Sequence, residues 1–175
     1  LKQQYFFVSA TISSIVKKHK AQYGTMKNFA EKAVIHINDT HPTLAIPELM
    51  RILIDEEDYT WDESWEIVSN CMAYTNHTIM AEALERWTVP MFKRLLPRIY
   101  MIVEEINRRF CEDLWNVFPE DREKIGRLAI IANDEIRMAN LCIDTCYSVN
   151  GVSALHSQIL KDIVFSDYNY MFPTK

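Results

Sequence analysis

Three short apolar runs in this chain each stop at an asparagine, and segments with helical spacing separate one run from the next. They are Ala33-Val34-Ile35-His36-Ile37 before Asn38-Asp39, Cys71 to Thr75 before Asn76-His77, and Tyr147-Ser148-Val149 before Asn150-Gly151. Strand-sized runs alternating with helices imply an α/β fold with a mostly parallel sheet and flanking helices, because parallel neighbours need a crossover that is usually a helix. In open parallel sheets the carboxyl ends of the strands face the ligand crevice, so the three polar dipeptides gather along one edge. Asn and Gly are also ordinary turn residues, and each loop taken singly has that plainer explanation.

The helical segments are read from periodicity and caps. Leu1 to Lys20 places Tyr5, Val8, Ile12, Ile15 and Val16 on one face, with Gly24 as a stop signal. Pro47-Glu48 opens a helix carrying Leu49, Ile52 and Leu53, and Thr60-Trp61-Asp62-Glu63 has capping-box spacing ahead of Trp61, Trp65 and Val68. Ile99, Ile102, Val103, Ile106, Phe110 and Leu114 mark what reads as the longest helix. Leu128 to Ala132 reads as a further strand, a helix follows from about Glu135, and a last helix runs from about Val152 to Phe165.

With 175 residues, 49% of them hydrophobic and only three glycines, the chain suits a single domain over 1–175 with no internal boundary. A net charge of −5 offers no general attraction to nucleic acid or to anionic membranes, and no apolar run approaches the ~20 residues of a membrane-spanning helix. Cys71, Cys111, Cys142 and Cys146 show no CxxC spacing, so reduced thiols and a cytoplasmic location are expected rather than a disulfide framework or a zinc site. A start at Leu1, inside a helix and without an initiator Met, suggests an excerpt of a longer chain.

The densest polar loop is Asn38-Asp39-Thr40-His41-Pro42. An acidic residue two positions before a histidine can orient hydroxyl groups, take part in acid–base chemistry or bind a metal, and the pattern alone does not choose. Asp39 as a turn cap and His41 as a structural histidine remain open beside those roles. Thr75-Asn76-His77-Thr78 is a second cluster, followed by Glu82 and Glu85 on a segment that reads as helical, where a solvated surface charge is the ordinary role. His36 reads as structural. His19, among Lys17, Lys18 and Lys20, reads as part of a solvated helix end.

Five longer strings carry a resemblance: Lys2-Gln3-Gln4-Tyr5-Phe6, INDTHPTLAIPELMRIL (Ile37 to Leu53), AYTNHTIMAEALERW (Ala73 to Trp87), LLPRIYMIVEEIN (Leu95 to Asn107) and VNGVSALHSQILK (Val149 to Lys161). In this order they resemble successive motifs of the α-glucan (glycogen/maltodextrin) phosphorylases. The resemblance implies part of the N-terminal catalytic domain of a GT-B enzyme, a transferase of glycogen degradation. That enzyme uses orthophosphate to release glucose 1-phosphate from an α-1,4-glucan, carries pyridoxal phosphate and forms a homodimer. It further implies that His77 sits at the glucosyl subsite, its ring toward a sugar hydroxyl and its carbonyl toward the developing charge. Asp39 and His41 would line the pocket beside the anomeric carbon, with Asn38 and Asn76 adjoining, and Glu85 would reach the same region.

The family's cofactor lysine and its phosphate-holding basic residues have no counterpart up to Pro173-Thr174-Lys175, so the chain is expected to hold no cofactor, to be inactive alone and to self-associate through uncovered surface. Met80-Ala81 and Ile35-His36 depart from the usual family pairs. Lys17-Lys18 stand where regulated animal enzymes hold AMP with two arginines; lysine lacks the planar fork of arginine, which argues against control by AMP and for a bacterial-type parent. Two other classes remain open: a metal-dependent hydrolase using Asp39, His41, His77 and Glu85 as ligands, and a non-catalytic interaction module.

Overall fold

Gly24 ends the first helix in the left-handed region (φ 71°), where a residue without Cβ sits unstrained, and its N–H donates to Lys20 O at 2.8 Å. A computed structural model describes residues 1–175, the side chain of Ala81 excepted. The order is α1 (Lys2–Tyr23), α2 (Phe29–Lys32), β1 (Ile35–Asn38), α3 (Ala45–Asp55), α4 (Trp61–Cys71), β2 (Met72–Asn76) and a single 3-10 turn at Ala81–Ala83. Then come β3 (Arg86–Thr88), α5 (Val89–Leu95), α6 (Pro97–Val117), α7 (Arg122–Leu128), β4 (Ile131–Ala132), β5 (Glu135–Arg137), α8 (Met138–Thr145) and β6 (Ser148–Gly151). The chain closes with α9 (Ala154–Ile159), a π-type turn at Leu160–Val164 and α10 (Ser166–Met171).

The main sheet is parallel in the order β1-β2-β6, with Asn38 opposite Thr75 and Asn76 opposite Gly151, so the three strands end almost level. The N–H of Asp39 donates to Thr75 O at 2.9 Å and carries the ladder one residue past the strand. Helices cover this sheet through a core that includes Ile37, Leu49, Leu53, Val68, Met72, Tyr74 and Leu141. The expected stripe of α6 is buried throughout, from Ile99 to Leu114, and the capping box at Thr60 and Glu63 is formed in both directions. Burial pushes the Cys71 thiol up to about 12, and it packs as a small apolar group near the buried Cys146.

Five local expectations are corrected. Leu128 is the last residue of α7 and only Ile131–Ala132 is strand. It belongs to a second, antiparallel sheet in the order β3-β5-β4, because Asn133 and Asp134 both adopt positive φ (53° and 57°) and reverse the chain in a two-residue turn. The residues from Glu135 therefore begin as strand, and α8 starts at Met138. At 22 residues α1 exceeds α6 at 21. The last helix is broken: Ser153 accepts from His156 N and fixes its start, and Phe165 N–H reaches Leu160 O, after which the axis resets into α10. His19 is buried, its Nε2 2.9 Å from Asn28 Oδ1 and its ring against Phe29, so it docks α1 rather than fraying with the lysines.

Glu48, wholly buried on α3, accepts from Tyr5 OH (2.9 Å), Ser9 Oγ (2.8 Å) and both Nε and Nη2 of Arg51 (3.0 Å each), tying α1 to α3. Three donor groups around one carboxylate meet the demand that a buried charge be paired and hydrogen-bonded.

Candidate functional site

The edge where β1, β2 and β6 end is held by side chains that bond across strands. His36 Nε2 lies 2.6 Å from Thr75 Oγ1, and Thr75 Oγ1 donates to Asn150 Oδ1 at 3.0 Å, a relay spanning all three strands. Since that hydroxyl gives its hydrogen to Asn150, His36 supplies the hydrogen of the first bond. At Gly151 a Cβ would sit 2.9 Å from the His156 ring and from Ser157 N, so only glycine lets β6 turn into α9.

Asp39 follows β1 with φ 63°, an uncommon left-handed conformation for a residue with a side chain. Its Oδ1 accepts from Thr40 N at 2.7 Å, which stabilises the turn locally. Thr40 is buried and its hydroxyl donates to Glu85 Oε2 at 3.1 Å, while Gln4 Nε2 donates to Glu85 Oε1 at 2.8 Å. Glu85 does not lie on a helix as expected: one 3-10 turn ends at Ala83, and Glu85 stands just before β3, its carbonyl accepting from Met138 N at 3.1 Å. The carboxylate is thus braced by two neutral donors from elements far apart in sequence.

Asp39, His41 and Glu85 line one open cleft of about 1080 Å³ together with Gln4, Thr78 and Trp87. His77 stands on the exposed rim of the adjacent strand end, its Nε2 2.7 Å from Asn38 Oδ1. An amide oxygen only accepts, so Nε2 carries the hydrogen of this bond. Asn76 is fully enclosed: its Nδ2 donates to Tyr74 OH at 2.9 Å and its Oδ1 accepts from Thr78 N at 2.8 Å. It holds the turn that presents His77. Of the six residues singled out in the sequence, three share the cleft, while Asn38 and His77 form a bonded pair outside its lining and Asn76 is buried.

Sequence reasoning passed over Gln4, Thr40, Trp87 and the Thr75–Asn150 link. Gln4 had a faint signal: it heads the stripe continued at Val8 and Ile12, a polar residue where helical spacing calls for an apolar one. Gln4 Oε1 and Trp87 Nε1, both on cleft-lining residues, are shielded and have no partner.

The cleft offers carboxylates, the His41 imidazole, an amide and the Arg86 guanidinium, a donor and acceptor set matched to a polyhydroxylated ligand. Among the described residues no group of three or more His, Cys, Asp and Glu side chains is placed to hold a metal ion, so the ligand cluster a metal-dependent hydrolase needs is not formed there. Fold and cleft together define an α/β domain that presents a polar ligand edge at the carboxyl ends of parallel strands.

Comparison with known proteins specifies the class further. The family model for carbohydrate phosphorylases matches residues 1–175. Over its whole length the chain is 50% identical to a glycogen phosphorylase of Bacillus subtilis (strain 168), and 44% identical to the brain-form glycogen phosphorylase of Bos taurus and to a glycogen phosphorylase of Chlamydia pneumoniae. The chain belongs to the carbohydrate phosphorylase family. It spans 22% of the length of each of these relatives. Among the described residues no helix is long and apolar enough to cross a membrane.

Proposed function

We propose that this chain forms the glucosyl-binding edge of a glycogen phosphorylase, one wall of an active site in which orthophosphate cleaves an α-1,4-glucan to glucose 1-phosphate. The observation that carries the reading is the meeting of Asp39, His41 and Glu85 round one cleft, next to His77 on the rim of a parallel sheet. In this reading His77 meets a sugar hydroxyl, and its position, fixed by Asn38 and by the Asn76 turn, aims the backbone at the anomeric carbon. Asp39, His41 and Glu85 orient the glucan and supply negative field where positive charge develops. Glu85 can do so because, among the described residues, its carboxylate is bonded by Gln4 and Thr40 and paired with no cation.

The residues around the cleft do not fit a pyridoxal phosphate aldehyde: no lysine is among those lining it. The cofactor that the family resemblance implies would be held by other parts of the whole enzyme. The isolated chain is accordingly inactive, and the whole enzyme is a cytoplasmic homodimer. Phe6 and Phe7, both about two-thirds exposed on α1, support self-association of the chain when it stands alone.

The test is a chimera in which these 175 residues replace the matching segment of the Bacillus relative. It should release glucose 1-phosphate from maltodextrin and phosphate, and His77→Asn in that chimera should lower kcat by about a hundredfold or more, the scale of losing one preorganised electrostatic contact. A soluble, folded chimera whose kcat is untouched by His77→Asn sinks the assignment of His77.

A further inference from the structure

Arg51, Arg98 and Arg108 each lay the side-on edge of the guanidinium, Nε with Nη2, against a single carboxylate: Glu48, Asp55 and Glu105. Arg137 on β5 has that same edge without an anion. Its Nη1 donates to Gly126 O (2.8 Å) and Arg127 O (2.7 Å), closing the last turn of α7, so the group is anchored from one side only. Its Nε is shielded from solvent and has no acceptor. Leaving a donor of a charged group in that state is unfavourable until an acceptor arrives.

The neighbourhood adds positive charge. Arg86 on β3 lies directly opposite Arg137 in the antiparallel register, a like-charge pairing that disfavours the ladder. Burial and the nearby Arg86 both pull the Arg137 guanidinium below its ordinary value. Arg86 turns to Glu135 (3.1 Å) and Arg127 to Glu123 and Asp167 (3.0 and 3.2 Å), whereas Arg137 has no carboxylate partner among the described residues. The three arginines line a cavity of about 360 Å³ together with the apolar Ile163, Val164 and Phe165 and with Asp167, whose carboxylate is paired with Arg127.

We propose that this cavity binds a small phosphate monoester, its dianionic phosphate between Arg137 and Arg86, and its organic part against Ile163 and Phe165. A planar fork with an empty edge suits a tetrahedral oxyanion, and the opposed arginine turns from a liability into a second donor once the anion is in place. Leu84 and Arg86 line both this cavity and the cleft, and Glu85 lies between them in sequence. The proposal stands whether or not the cleft binds a glucan.

The test is an NMR titration of the 175-residue chain, following the arginine Nε–H resonances while inorganic phosphate, phenyl phosphate or chloride is added at matched ionic strength. The Arg137 resonance, assigned by its loss in Arg137→Lys, should shift saturably with both phosphates and not with chloride, and phenyl phosphate should bind more tightly. Arg86→Gln, at an exposed position, should weaken phosphate binding by about tenfold, as expected for one lost charge-assisted contact. The idea is overturned if phosphate causes no saturable shift at Arg137, if chloride reproduces it, or if Arg86→Gln keeps its melting temperature and binds phosphate as before.

Discussion

Two glutamates reached by the same helix have opposite surroundings. Tyr5 and Ser9 of α1 donate to Glu48, and Gln4, one residue earlier, donates to Glu85. Glu48 is wholly enclosed and takes the bidentate fork of Arg51, so its charge is cancelled at the spot where it stands. Glu85 has only the amide of Gln4 and the hydroxyl of Thr40, and it faces an open cleft. A carboxylate locked to a cation serves to join elements, whereas one braced by neutral donors keeps a field that a ligand can feel. Cation partner, more than burial, separates a structural acid from an available one in this fold.

Neutralising each acid in turn is the most forceful way to break that comparison. Glu48→Gln should destabilise the chain by about 3 kcal/mol, the low end for breaking a buried pair, since Arg51 keeps a second contact to Glu56 at 2.8 Å. Glu85→Gln should cost less than about 1 kcal/mol, because neutral donors to a half-exposed group contribute little net stability. Urea denaturation of both variants reads the difference directly. Equal losses would mean that Glu85 is as structural as Glu48, and its part in the cleft would need another explanation.

How far the sequence foretold these environments depends on the distance over which each contact is made. The strand-end loops were legible because their signals are local: a β-branched run, then an asparagine, then a turn. The α6 stripe and the Thr60 capping box were legible for the same reason. The neighbours of Glu85 were not, since Gln4 lies 81 residues away and meets it only after α1 docks beside β3. The β4–β5 hairpin was missed because Asn133-Asp134 lacks the glycine that advertises a turn with two positive φ angles. His19 was misplaced because a lysine-rich neighbourhood outweighed one tertiary partner, Asn28, in any local reading.

A second, smaller effect sharpens the account of Glu48 from its partner's side. Burial first, and then the Glu48 carboxylate, raise the Tyr5 hydroxyl above its ordinary value near 10. A group whose folded pKa is raised lends stability that is complete below the unfolded value and is lost as pH climbs through the folded one. Stability should therefore fall above about pH 10 in the native chain, and Tyr5→Phe should flatten that alkaline slope while costing about 1–2 kcal/mol at neutral pH for the acceptor it leaves unmet. Chemical denaturation across pH 8 to 11 compares the two slopes. Parallel curves would show that the Tyr5–Glu48 bond is not the one that links α1 to pH.

The smallest effect is expected where a carboxylate of the same helix has a cation partner but no burial to match. Asp55, at the end of α3, takes the fork of Arg98 from α6 at 2.6 and 2.8 Å, with both side chains partly exposed. That hydrogen bond holds the Asp55 carboxyl below its ordinary value, outweighing a modest desolvation. Its contribution is present above the unfolded value near 4 and disappears as pH falls through the lowered one, so the window is acidic, opposite to that of Tyr5. Water screens an exposed pair, and Asp55→Asn should cost only about 0.5 kcal/mol at pH 7 and nothing measurable near pH 2. If the loss instead matched that of Glu48→Gln, a fork on a carboxylate would lock elements together regardless of burial, and Arg98 would rank with Arg51 as a structural clamp.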